Sequence, residues 1–147
     1  MRPMSVVLRP LVEIKPHEFV NADHSASIAR SIRTDQAIWR PLIIARRCRT
    51  LLDGHHRYTA LNALGADLAP CVEVDYDDPA EVEVTAWRPD ELVTPEMVRS
   101  AAARGEMMPP KTSRHLLKFS IPSIRVPLSD LLRGASTRPG STGRLCV

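Results

Sequence analysis

The residue types able to do chemistry in this chain gather in three short clusters: His17-Glu18, Asp53-Gly54-His55-His56-Arg57 and Lys111-Thr112-Ser113-Arg114-His115. Trp87 stands alone between the last two. Each cluster falls where a turn or an element end is expected, which is where catalytic groups concentrate. Singly, each has a plain alternative: a solvated turn, a polar helix start, a basic surface loop, a core tryptophan. Together they supply a carboxylate, two groups of phosphate-binding donors and a hydroxyl-rich loop. Those are the parts that phosphoryl transfer needs.

The middle cluster is the most informative. Thr50-Leu51-Leu52 reads as the end of a strand, Gly54 as a tight turn, and Tyr58, Leu61 and Leu64 as one face of a helix that stops at Gly65. Asp53 is placed to accept backbone N–H bonds as the helix cap. Two histidines and an arginine then crowd the positive end of the helix dipole, a setting suited to an anion and above all to a phosphate. Solvated side chains on a polar helix start are the alternative. His55 and His56 diverge by about 100° around the helix, so they do not readily share a metal.

The elements that must position these clusters can be read in order. Ser5 to Ile14 reads as a strand interrupted at Pro10, and Asp23 as the cap of a helix from about His24 to Asp35. Leu42-Ile43-Ile44 forms a second strand that Arg46-Arg47-Cys48-Arg49 turns back into Thr50-Leu51-Leu52. Ala69 to Val74 is a further strand. Val82, Val84 and Ala86 alternate with Glu81, Glu83 and Thr85, so a half-buried strand delivers Trp87 at its end. Thr94-Pro95-Glu96 starts a helix that ends at Gly105. Met108 to His115 is expected as an exposed, proline-stiffened loop, Leu116 to Leu128 as strand-like, and Ser129 to Leu132 as a helical turn. The fold class is α/β (α+β), a small mixed sheet with flanking helices, with residues 1–132 as one domain. Residues 133–147, rich in Gly, Ser, Thr, Pro and Arg, are expected as a loosely ordered tail.

Composition narrows the function classes. With 147 residues, 44% apolar and 25% charged, the chain suits one globular domain. A formal charge of +3 is too mild to argue for nucleic acid, whereas a phosphorylated small molecule needs only a local positive site. The three cysteines fit neither a zinc pattern nor a disulfide framework, so a reducing cytoplasm is expected. No apolar run suits a signal peptide or a membrane span. The familiar P-loop, protein-kinase and HExxH motifs are absent.

The order of strand, helix, Pro41-Leu42-Ile43-Ile44 strand, hairpin and Leu51-Leu52-Asp53-Gly54-His55-His56-Arg57-Tyr58 resembles the ParB/sulfiredoxin superfamily. More closely, it resembles the free L-serine kinases of that superfamily. Pro16-His17-Glu18, Trp87, Pro109 to His115 and Pro127-Leu128 carry the same resemblance, which runs from about Val6 to Leu132. Longer members have a large insertion in the second half, where this chain has only Pro89 to Met108. A sulfiredoxin would have its cysteine where His55 stands. A ParB partition protein would have a Gly-Glu-Arg-Arg type motif and an added DNA-binding domain.

The resemblance implies an enzyme that phosphorylates L-serine, or a related hydroxy amino acid, to an O-phospho product with ATP or ADP. Glu18 would be the catalytic carboxylate, acting with His56 and Arg57. Gly54, His55, His56, Arg57, Lys111 and Thr112 would hold the nucleotide phosphates, with Mg²⁺ bridging phosphate oxygens rather than bound to a dedicated protein site. Asp53, Trp87, Ser113, Arg114 and His115 would face the amino acid; Asp53 is equally suited to Mg²⁺ or to capping the helix. A homodimer is compatible with this reading, and a nucleic-acid or membrane partner is not expected. The competing class is a ParB-like nucleotide-binding regulatory module without small-molecule kinase activity.

Overall fold

The computed structural model describes residues 4–109 and 113–132. Lys111 and Thr112, and the expected tail over residues 133–147, therefore lie outside the described residues. At the centre is a four-stranded mixed sheet. Its strands are β1 (Val7–Pro10), β3 (Leu42–Ala45), β4 (Leu51–Asp53) and β5 (Leu68–Val74), in the order β1-β5-β3-β4. β3 runs parallel to β5 and antiparallel to β4, so the Arg46–Arg49 reversal does close a hairpin. All four residues of β3 are buried, because both faces of the sheet are covered.

The alternation of side chains along β3 sorts the core into two halves. Leu42 and Ile44 pack with α1 (Ala22–Asp35), α2 (His55–Ala63) and α4 (Leu128–Leu132) through Ile32, Ala60, Leu61 and Leu131. Ile43 and Ala45 pack on the other side with Val72, Val74, Val82 and Val98. That second half is roofed by an antiparallel ribbon of β6 (Val82–Ala86) and β7 (Ser113–Leu117), and by α3 (Pro95–Arg104). A two-residue strand, β2 (Ala37–Ile38), pairs with β8 (Val126–Pro127) at the margin.

Several local expectations are corrected. The first strand stops at Pro10 and continues as a 3-10 turn over Leu11–Glu13. Asn21, not Asp23, caps α1: its side-chain oxygen accepts the His24 N–H at 3.0 Å. Asp53 does not cap α2, whose cap residue is Gly54 with no side-chain bond. Ser113 to His115 belong to β7 rather than to an exposed loop, and Ser113 is buried. Of the expected Leu116–Leu128 strand only its two ends are extended ladder. The α3 boundaries agree with expectation: the Thr94 hydroxyl accepts the Met97 N–H at 3.2 Å, and Gly105 closes the helix at φ 69°.

Gly54 is the residue on which the strand-to-helix turn depends. Its φ is +104°, which L side chains rarely adopt, and an added Cβ would stand 2.7 Å from Leu42 Cδ2 and 2.8 Å from Arg57 Nη2. Gly54→Ala should therefore cost roughly 2–4 kcal/mol from backbone strain and overpacking together. Urea unfolding measures it: a lower midpoint with unchanged slope is expected.

Candidate functional site

Three separate stretches of chain converge at the end of the sheet. Lys15 still pairs in parallel with Thr50, but after Pro16 the chain leaves the sheet. The His17 N–H donates to His55 Nε2 at 3.1 Å, the first residue of α2. The next residues dock on the segment after α3: Met108 N–H donates to the His17 carbonyl at 2.7 Å, and Phe19 N–H to the Met108 carbonyl at 2.9 Å. Glu18, between them, turns toward β7. Its Oε2 accepts the Ser113 N–H at 3.2 Å and the Ser113 hydroxyl at 2.8 Å. Ser113 Oγ also lies 3.1 Å from Nε2 of the fully buried His17. Glu18, the start of α2 and the first residue of β7 are thus brought together, although Glu18 and Ser113 are 95 positions apart in sequence.

All five histidines fall into two groups here. His17, His55 and His115 form the inner group, with ring centroids 4.6 Å apart for His17–His55 and 6.1 Å for His17–His115. His24 and His56 form the outer pair at 4.4 Å, and His56 Nε2 accepts the Asn21 N–H at 3.1 Å. Burial pushes the inner three down: His17 to about 4, with the Leu51 backbone opposing; His115 to about 3; and His55 to about 2, where its histidine neighbours add to the effect. Burial also lowers His56, with His24 second. The imidazoles at the helix start are therefore neutral hydrogen-bonding groups near neutral pH.

Arg57 is the cation there. Burial lowers its pKa as well, opposed by Asp53, but a guanidinium stays charged. Its Nη2 donates to the Pro41 carbonyl at 3.2 Å and reaches Asp53 Oδ2 at 3.5 Å, while its buried Nε has no partner. Arg40 approaches the same carboxylate oxygen at 3.9 Å, a residue the sequence reading did not single out. The cap residue Gly54 has no side chain with which to bond the first N–H groups of α2, and a helix start of that kind suits an anionic acceptor. Among the described residues no group of three or more His, Cys, Asp or Glu could hold a metal ion.

The ribbon separates the remaining predicted residues. Ser113 and His115 point inward, and His115 Nε2 lies 2.7 Å from the Tyr76 hydroxyl, a second residue the motifs did not reveal. Arg114 is on the outer face, its guanidinium 4.9 Å from the Trp87 ring, and Trp87 Nε1 donates to the Ser113 carbonyl at 3.0 Å. Trp87 is half exposed rather than core. A groove of about 590 Å³ lies between α3 and the segment after it, lined by Met97, Ser100, Arg104, Met107 and Met108 among others. It touches the convergence point only through Met108. Among the described residues no helix is long and apolar enough to cross a membrane.

The buried imidazoles fix a sign for the acid response. In the unfolded chain a histidine titrates near 6.5; in the folded chain His17, His115 and His55 take up a proton only near 4, 3 and 2. Between those values the unfolded state binds more protons, so stability is full above 6.5 and falls as pH drops toward 4. The slope is at most about 1.4 kcal/mol per pH unit for each histidine. Urea midpoints measured from pH 7 to pH 4.5 should fall accordingly, and His115→Gln should flatten the slope by removing one of these lowered histidines.

No family model matches the chain. It is 32% identical over 94 residues to the ADP-dependent L-serine kinase SerK of Thermococcus kodakarensis, a match covering 60% of this chain and 38% of the relative. It is 33% identical over 75 residues to a ParB-like protein of Sulfolobus acidocaldarius, covering 51% and 37% of the two chains. The chain thus spans about two fifths of the length of the curated relatives it matches. The structure of a free serine kinase in complex with AMP superposes with a TM-score of 0.80 at 20% identity, over 88% of this chain and 95% of the other. The fold is therefore that of the free serine kinase structure, and together with the sequence relatives it bears out the resemblance to the ParB/sulfiredoxin superfamily.

Proposed function

We propose that this chain is a nucleotide-dependent kinase of a free hydroxy amino acid, L-serine above all, with Glu18 as the base. The observation that carries the reading is the convergence of Glu18 with the glycine-capped start of α2 through the His17–His55 bond. It joins a proton acceptor to a phosphate-binding helix end. The similarity to an L-serine kinase supports the substrate, and the AMP named in the similar structure is what an ADP donor leaves behind.

In this mechanism the N–H groups of the Gly54–Arg57 turn bind the nucleotide phosphates, with the Arg57 charge behind them and Lys111 and Thr112 adding donors. The substrate hydroxyl attacks the terminal phosphorus. Its new O–P bond forms as the bond to the departing nucleotide breaks, and its proton passes to Glu18. A carboxylate suffices, because in a loose transition state proton loss lags behind P–O cleavage. His55 and His56, neutral and held by backbone N–H groups, keep the helix start in register. The donor set fits Mg²⁺ only through the phosphates, since the nearby Asp53 carboxylate is already shared by Arg57 and Arg40; bound there, the ion would neutralise phosphate charge. Trp87 and Arg114, stacked on the outer face of the ribbon, support the site's wall rather than touch the reacting atoms. The cysteine content and this chemistry suit a cytoplasmic enzyme.

The ParB-like relative favours one other reading, a module that binds a nucleotide without phosphorylating a small molecule. Glu18→Gln separates the two. It keeps the side chain's shape and removes the proton acceptor, so O-phosphoserine formation, followed by mass spectrometry with ATP or ADP and Mg²⁺, should fall by roughly two to four orders of magnitude. Nucleotide affinity by calorimetry should stay within about twofold, because Glu18 serves the acceptor. Binding of nucleotide by the wild type with no phosphoserine from either donor would leave the regulatory module as the answer.

A further inference from the structure

We propose that Ser113 is a positioning residue for Glu18, and that His17 sets the direction of its hydroxyl. The inference rests on the reading of Glu18 as the base. Two donors from one residue meet one carboxylate oxygen: the Ser113 N–H at 3.2 Å and its hydroxyl at 2.8 Å, both on Glu18 Oε2. A pair of donors so arranged fixes the rotation of the carboxylate, where a single bond would let it swing. The backbone donor is itself fixed, because Ser113 pairs with Ala86 in the ribbon.

The hydroxyl is fixed by His17. An ionised carboxylate only accepts, so the one proton of Ser113 points to Glu18. Ser113 Oγ then presents lone pairs to His17 Nε2 at 3.1 Å, and that contact is a bond only when Nε2 carries the imidazole proton. The other tautomer sets two lone pairs against each other, at Nε2 or at Oε2. His17 Nδ1 is buried beside the Leu51 backbone but makes no bond of good geometry with it, so a proton on Nε2 gives up that weaker contact for the well-formed bond to Ser113 Oγ. The low pKa of His17 agrees with a neutral ring. The chain runs His17 Nε2–H to Ser113 Oγ–H to Glu18 Oε2, with His17 completely buried at its inner end. Ser113 is thus occupied at the base and does not project toward a substrate.

Three variants and one spectrum test this. Ser113→Ala removes one of the two Ser113 donors and should lower kcat by about 10- to 100-fold, the worth of a hydrogen bond to a charged group. KM for serine and nucleotide affinity should stay within about threefold, since neither ligand touches the lost hydroxyl. Ser113→Thr restores the hydroxyl and should recover most of kcat; Ser113→Cys, a poor donor, should not. In the unliganded protein, ¹⁵N spectra should show His17 as the Nε2–H tautomer. A rise in KM with kcat held, an unchanged kcat in Ser113→Ala, a threonine that fails to rescue, or an Nδ1–H tautomer each overturns the proposal. If the wild type forms no phosphoserine at all, the kinase reading fails by itself, while the His17 spectrum still decides the hydrogen-bond chain.

Discussion

The site depends on one bond made where a sheet stops. Lys15 pairs in parallel with Thr50, its N–H on the Arg49 carbonyl and its own carbonyl on Leu51 N–H. Continued by one step, that ladder would send the His17 N–H to the Leu51 carbonyl. It goes instead to His55 Nε2. Pro16 precedes the departure, and a proline ring biases the chain there toward extended, turning geometry. The consequence is that a strand-like segment is stitched to a helix start by an imidazole. A buried amide needs an acceptor, and at this point the nearest suitable one belongs to a side chain whose pKa has been driven low enough to keep its lone pair. A protonated His55 would offer no acceptor, and the His17 N–H would lose its partner.

That requirement inverts the electrostatic sense of the Gly-His-His-Arg motif. Cationic imidazoles at a helix N-terminus oppose the dipole, and three of them within one buried group would repel one another strongly. The fold resolves the conflict by keeping the rings neutral and using them as acceptors for the N–H groups of His17 and Asn21. On the proposed reading, attraction for an anion would rest on backbone N–H groups, the dipole and the guanidinium of Arg57, with Arg40 nearby at the same Asp53 carboxylate. Asp53 holds that guanidinium at the turn instead of capping the helix. Gly54 makes room for it, since the space a Cβ would need is taken by Arg57 Nη2 and Leu42.

Much of this was legible in the sequence, and what was not has a common cause. Helix α3, the β3–β4 hairpin and the Gly54 turn follow from local chemistry: a Thr-Pro start, a charged reversal, a residue free to adopt positive φ. Glu18 and the Asp53–Arg57 stretch could be singled out because their residue types are rare in such company. The misreadings arise where a distant partner decides. Asn21 and Asp23 are both good caps, and the choice between them falls to Asn21, whose N–H is itself held by His56 from α2. Ser113 looked like loop because prolines precede it, yet pairing with Ala86 makes it strand and buries its hydroxyl. Tyr76 and Arg40 carry no local signal; each matters only through a residue dozens of positions away or across a turn.

The stretch from Pro89 to Met108 acquires a definite role from these bonds. Helix α3 is anchored in the second half of the core through Val98, which is fully buried. Gly105, at positive φ, ends the helix and turns the chain back, so that Met108 meets His17 and Phe19 in two backbone bonds that flank Glu18. Glu18 is thereby held from both sides: by Met108 along the backbone around it and by Ser113 at its carboxylate. Neither support reaches Glu18 through the central sheet. A segment of this length suffices to fix Glu18 because its hydrogen bonds come from the turn after one short helix and from one ribbon strand, whose positions the core sets through Val98, Val82 and Leu117.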